Sequence, residues 1–170
     1  PGKPSDVRID GDLLETCVLT LIKNAVENTP DGGLVTVHLE THQGGVVLSV
    51  RDTGVGITAE SRKQIFGGFY HARDTDLYST KKPFDFGAGG KGLELLRLRV
   101  LSEDHAVQLG CKSRRCRFIP SEKDICPGDV SRCPHIKDAS ECALSGGSTF
   151  TVVFPLTVGR SVDEAVRRIL

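Results

Sequence analysis

The chain has no methionine and no tryptophan, its formal net charge is zero, and no apolar run approaches membrane length. Each absence excludes something. Charge balance at a pI near 7.3, with no basic stripe interleaved with aromatics, argues against a nucleic-acid binder. No segment reaches the roughly 18 apolar residues a membrane span needs. There is no internal repeat, so a solenoid is out. Pro1-Gly2-Lys3 opens the chain without a methionine, so we read it as a piece excised from a longer protein. The missing signal peptide or anchor then says nothing about the parent.

What remains is ordinary globular material. The 170 residues are 38% hydrophobic and 26% charged, enough to bury a core in one domain. Val7 to Ile9 reads as a short strand. Asp10 is placed to N-cap a helix whose apolar face carries Leu13, Leu14, Cys17, Val18, Leu21, Ile22, Ala25 and Val26. Pro30-Asp31-Gly32-Gly33 ends it. A hairpin follows, with Val35, Val37 and Leu39 alternating on one arm, a turn at Gln43-Gly44-Gly45, and Val46 to Val50 returning. Thr58 to Phe66 reads as a short helix capped by Thr58. Residues 67–90 lack periodicity, and a stretch of that length is functional or disordered. Lys91 to Ser102 reads as a second long helix, Val107 to Cys111 and Ser148 to Phe154 as closing strands, and Ser161 to Leu170 as an amphipathic tail helix. This order predicts an α/β two-layer sandwich, a mixed and mostly antiparallel sheet with helices on one face.

Three separated features share one chemical logic. Asn24 sits in mid-helix, where Asn is a poor helix former, and its carboxamide oxygen is a hard ligand suited to Mg²⁺. Asp52, in "DTGVGI", ends a strand and is followed by two glycines. Its carboxylate can accept from an exocyclic amine, and the glycines let a flat ring approach the backbone. "FGAGGKGLEL" places glycines just before a helix, where free amides and the helix dipole favour an anion such as phosphate. Each has a bland alternative: a solvated Asn, a turn-forming Asp, a glycine linker. Their order, metal ligand then base reader then phosphate cradle, fits a Mg²⁺–purine nucleotide site.

These residues carry a family resemblance. "LIKNAVENTP" resembles the N box of sensor histidine kinase ATP-binding domains, "DTGVGI" their G1 box, "IFGGFY" the F box, "GAGGKGLEL" the G2 box and "GGSTFTVVFP" the last glycine box. That superfamily also includes DNA gyrase B, Hsp90 and MutL. The resemblance implies a Bergerat-type ATP-binding fold and these roles. Asn24 would bind Mg²⁺, and Asn28 occupies the position after the N box that faces the nucleotide. Asp52 would take the adenine amine, with Gly54, Gly56 and Ile57 forming the pocket floor and Thr149 holding a water beside the base. Gly89, Gly90, Lys91, Gly92 and Leu93 would meet the phosphates. Residues 67–90 would form an ATP lid, anchored by Phe66 and Phe69.

Residues 1–156 would be this domain, with a Cys-rich insertion at about 111–145, and residues 157–170 a tail or linker. Thr20 stands where hydrolytic relatives carry a water-activating Glu, which favours phosphoryl transfer over an ATPase clamp of the gyrase or Hsp90 type. A non-catalytic nucleotide-binding module is the third reading. The phosphoacceptor histidine would lie on a dimerisation hairpin outside this chain, so no catalytic residue is assigned here. Implied partners are that hairpin, in a homodimer, and a response regulator. The implied compartment is the cytoplasm, with a parent protein free to be membrane-anchored. Glu94 departs from the family, a carboxylate at the phosphate end of the G2 box.

Five of the six cysteines fall between Cys111 and Cys142, at Cys111, Cys116, Cys126, Cys133 and Cys142, with His135 nearby. Disulfides are unusual in the cytosol, so a zinc or iron–sulfur site is one reading. No CxxC pair is present, which weakens zinc, and Cys133-Pro134 resembles the Cys-Pro of some iron–sulfur sites. Redox-responsive free thiols and disulfides are the other readings.

Overall fold

In the computed structural model the described residues are 9–42, 45–67, 93–121 and 123–155. Helix α1 runs Gly11–Asn28, and Asp10 caps it: its Oδ1 accepts from the Leu13 amide at 2.9 Å. The buried face is Leu13, Cys17, Thr20, Leu21 and Ala25. The i, i+4, i+8 spacing of Leu13, Cys17, Leu21 and Ala25 puts them on one side. Thr29 turns extended and its hydroxyl donates to the Ala25 carbonyl at 2.6 Å, and Pro30 then stops the helix.

The strands are β1 (Val35–His42), β2 (Gly45–Asp52), β3 (Gln108–Arg114) and β4 (Gly147–Pro155). They form one sheet in the order β1-β2-β4-β3, every neighbouring pair antiparallel. The parallel element that an expected mixed sheet needs is, among the described residues, only the isolated bridge Asp31↔Asp129. Helix α2 is Glu94–Asp104. Alternation along β2 and β4 points Val46, Leu48, Val50, Phe150, Val152 and Phe154 at the helices. There they meet Leu13, Cys17, Leu21 and Ala25 of α1 and Leu98 of α2. Two layers enclose one core, as expected. On the edge strand β1 this packing stops, and Val37 and Leu39 stay 47% and 62% exposed.

Two expected elements differ. Thr58 to Phe66 is not an α-helix: only Ser61–Lys63 forms a 3₁₀ turn. Thr58 Oγ1 does accept from the Ser61 amide at 3.1 Å, but Gly67 already donates to Gln64, closing the segment before a second turn. The second long helix begins at Glu94 rather than Lys91, which lies outside the described residues. The expected strand over residues 7–9 falls largely outside them too, as do residues 68–92 and the tail helix. The cysteine segment, residues 115–146, leaves β3 and returns to β4 through a 3₁₀ turn (Val130–Arg132) and helix α3 (Ala139–Ser145).

Replacing Asp10 with Ala removes the acceptor for an amide that α1 cannot satisfy internally. Urea denaturation is expected to show a loss of about 1 kcal/mol. An unchanged midpoint would mean the cap contributes nothing in this context.

Candidate nucleotide site

The C-terminal end of α1 and the loop after β2 meet at backbone distance. Asn24 and Asn28 lie one turn apart on the same helix face. The Asn28 carboxamide donates to the Asn24 carbonyl at 2.7 Å and, more weakly, to Asn24 Oδ1 at 3.4 Å. Both side chains are half-buried, so the Asn24 oxygen is engaged by only one long contact inside the helix. The Asn28 carbonyl presses on Gly54 so closely that any Cβ there would overlap it. Thr53 closes the other side: its hydroxyl accepts from the Leu34 amide at 2.8 Å, and its own amide donates to the Leu34 carbonyl.

Asp52, at the end of β2, is the centre of this arrangement. It is 1% exposed, a rare place for a carboxylate, and among the described residues no cation bonds it. Oδ1 accepts from the Gly54 amide at 2.9 Å and from the Ser148 amide at 3.2 Å. The Ser148 side chain also bonds the carboxylate. Burial pushes the carboxyl up to about 6, and these hydrogen bonds hold it from going higher. The result is a desolvated acceptor facing the helix side of the sheet, costly to hold and suited to a donor group brought by a ligand.

The strand register decides which hydroxyl stands beside it. Asp52 pairs directly with Ser148, whereas Thr149 pairs with Arg51. Successive residues face opposite ways, so Thr149 points to the other face and cannot hold a group next to Asp52. Ser148, not Thr149, therefore stands beside Asp52. Ser113, across on β3, completes the set: its hydroxyl lies 3.1 Å from that of Ser148, accepts from the Ile57 amide at 2.7 Å and reaches the Gly147 carbonyl at 3.2 Å. Neither serine was expected. The "GGST" run offers two adjacent hydroxyls, and only register chooses between them.

The glycines of the loop are also required by packing. Gly54 and Gly56 are needed because protein backbone fills the space a side chain would take. Gly56 has φ +71°, and a Cβ on it would overlap the Arg114 carbonyl. Ile57 is half-buried and packs against the core. Leu93 leads into α2 and Glu94 is exposed in its first turn, where a carboxylate suits the helix dipole. Phe69, Gly89, Gly90, Lys91 and Gly92 lie outside the described residues.

The six-residue cysteine and histidine set does not come together as one group. Cys111 sits on β3 opposite Phe150, packed against the core, and burial raises its thiol to about 12. His135 stacks on Phe118 with ring centroids 5.0 Å apart. Cys116, Cys126, Cys133 and Cys142 instead line one pocket beneath Thr53, Gly54 and Val55. The structure holds all six cysteines as free thiols. Among the described residues, no group of three or more His, Cys, Asp or Glu side chains is arranged to hold a single metal ion.

Two measurements probe the site without any ligand. The folded state holds the Asp52 proton more tightly than the unfolded chain, where the ordinary value is 3.8. Its favourable contribution is thus complete below pH 3.8 and is lost as pH rises to about 6. The loss amounts to roughly 3 kcal/mol. The stability of Asp52→Asn relative to the parent is expected to rise across that window, and a pH-independent difference would contradict the burial cost. Gly54→Ala is expected to lower stability by about 3 kcal/mol through overlap with Asn28. Gly11→Ala, with open space around it, should change little in the same thermal melts.

Comparison with known proteins agrees with this geometry. Residues 9–158 match the family described as histidine kinase-, DNA gyrase B-, and HSP90-like ATPase. The chain is similar to the sensor protein IrlS of Burkholderia pseudomallei, 32% identical over 109 residues, covering 64% of this chain and 22% of that protein. It is also similar to the histidine protein kinase DivJ of Caulobacter vibrioides, 31% identical over 119 residues, covering 65% and 17% respectively. The chain thus spans under a quarter of the length of either relative. Among solved structures, the mycobacterial sensor histidine kinase MprB superposes with TM-score 0.53 at 21% identity, covering 88% of this chain and 76% of that one. Full-length ShkA in complex with AMPPNP gives 0.54 at 21% identity, covering 88% of this chain and 23% of that one. These two likenesses speak to the fold alone, whereas the family match runs through every described element. The chain belongs to the histidine kinase-, DNA gyrase B- and HSP90-like ATPase family.

Proposed function

We propose that this chain binds Mg²⁺–ATP and presents its γ-phosphoryl group to a histidine on a dimerisation hairpin outside this chain. The buried Asp52 carboxylate carries the reading. An acceptor taken out of water at the mouth of a loop gains from an N–H donor that replaces its lost hydration, and the adenine 6-amine is such a group. Asn24 offers the hard oxygen that Mg²⁺ prefers, one helix turn from Asn28 at the edge of the same loop. When bound, Mg²⁺ neutralises charge on the phosphate oxygens. Leu93 and the residues before it would supply amides to the phosphates at the start of α2.

Phosphoryl transfer is favoured over hydrolysis. Thr20, one turn before Asn24, is 4% exposed and carries no carboxylate, so it cannot activate water. In the transfer, the bond from the γ-phosphorus to the bridging oxygen breaks, ADP leaves, and an imidazole nitrogen takes the phosphoryl group. Of the described histidines none lies inside a helix: His38 and His42 are on β1, His105 caps α2 and His135 stacks on Phe118. The acceptor therefore comes from elsewhere in the full-length homodimer, and a response regulator receives the group next. Among the described residues no helix is long and apolar enough to cross a membrane. The proposal places the domain in the cytoplasm, with or without a membrane anchor on its parent.

Calorimetric titration with ATP and GTP, with and without Mg²⁺, tests the assignment. Asp52→Ala is expected to weaken ATP binding by about ten- to a hundredfold and to erase the preference over GTP. Asn24→Ala is expected to lose the Mg²⁺-dependent part of the affinity and keep base selectivity. Equal tolerance of both changes would overturn the site, and steady ATP turnover by the chain alone would favour a hydrolytic clamp.

A further inference from the structure

The cysteine segment is stitched to the back of the loop that carries Asp52. The Cys116 amide donates to the Val55 carbonyl at 2.7 Å. Arg115 spans the junction, its guanidinium donating to the carbonyls of Gly56, Ile119 and Ser121 at 2.7–3.1 Å. The Asp31 amide donates to Gly128, and Val130 returns a bond to Asp31. Cys142 Sγ approaches the Thr53 carbonyl at 3.8 Å. Gly146 is required by the same closeness, since a Cβ there would crowd Cys116. Four cysteines, from four separate stretches of the segment, line one small pocket, a cavity of about 30 Å³ that is partly open to solvent.

Its walls include Val55, Ile119, Val130 and Ile136, so the cysteines face a largely apolar space. The thiols are near enough that Cys126, Cys116 and Cys133 each act electrostatically on Cys142. Cysteine can pack as a small hydrophobe, but four thiols within electrostatic reach of one another are also a ligand set for a soft metal. A single tetrahedral zinc needs four sulfurs drawn to about 3.8 Å from one another, and these are not so arranged. An iron–sulfur cluster takes the same four thiolates but inserts its own iron and sulfide atoms between them.

We propose that Cys116, Cys126, Cys133 and Cys142 ligate an iron–sulfur cluster seated against the back of the Asp52 loop. Each thiol releases its proton as its sulfur bonds iron. At Cys142 that removes the S–H contact to the Thr53 carbonyl, one residue from Asp52. Given the nucleotide reading of Asp52, cluster occupancy would alter ATP affinity, and loss of the cluster to oxygen would report redox state to the kinase.

The test is anaerobic reconstitution of the chain with ferric iron, a thiol reductant and sulfide. Iron and acid-labile sulfide are expected in equal amounts, with visible charge-transfer absorption and a paramagnetic signal on reduction. Cys126→Ala and Cys133→Ala should lose both, while Cys111→Ala, outside the pocket, should keep them. Circular dichroism of each variant before reconstitution checks that it folds, and the signal from the unsubstituted chain needs no variant at all. Zinc without sulfide, no bound metal, or equal loss in Cys111→Ala would overturn the proposal. ATP affinity measured with and without the cluster is a separate readout. A chain that holds the cluster but binds no ATP would sink the nucleotide reading and leave this one standing.

Discussion

Keeping the Asp52 carboxylate out of water is the constraint around which the rest of the molecule is arranged. A buried carboxylate without a cationic partner is tolerable only if amides and hydroxyls replace its hydration. The Gly54 amide comes from the loop that follows, and the Ser148 amide and side chain come from the neighbouring strand. The first requires a glycine, since the Asn28 carbonyl occupies the side-chain space. The second requires that β2 and β4 pair in one register only, because a shift of one residue would bring Thr149 opposite and turn Ser148 away. The apolar core under these strands enforces that register. Hydrophobic burial of Val50, Phe150 and Val152 thus positions a polar site that is itself unfavourable.

This coupling also explains why the cysteine segment matters to the site. It does not hang from the β3–β4 connection as a free appendage. Arg115, Cys116 and Cys142 bond to the carbonyls of Gly56, Val55 and Thr53, and Gly128 and Val130 bracket Asp31 at the end of the helix that carries Asn24. A change in the segment reaches both sides of the nucleotide site through backbone bonds. Local rearrangement of that kind can shift binding without unfolding the domain, which is how a small chemical event biases a larger equilibrium.

The family match runs from the start of α1 past the end of β4, so the cysteine segment lies inside the matched domain. Of the described histidines none lies inside a helix, and Thr20 is buried on α1 without a carboxylate. Fold and chemistry are separable here: in the proposed reading the sandwich supports either, and the side chain at Thr20, in the body of α1, separates transfer from hydrolysis.

Local chemistry was legible in the sequence wherever a residue acts on near neighbours. The Asp10 cap, the apolar stripe of α1, the stop at Pro30, the hairpin and the two-layer sandwich all follow from spacings within a few turns or strand residues. Asn24 and Asp52 stood out for the same reason, as polar residues set against an apolar pattern. What the sequence could not decide depends on pairings far apart in the chain. Ser148 rather than Thr149 faces Asp52 because of a register set across 96 positions. Ser113 joins them from a third strand, and Gly54 is obligatory because of a helix end 26 residues earlier. The cysteine spacing shows no recognisable motif, yet the fold brings four of those thiols to one pocket and leaves Cys111 in the core. Periodicity and capping are short-range and written in order along the chain, whereas register and pocket formation are set by the packing of the whole core.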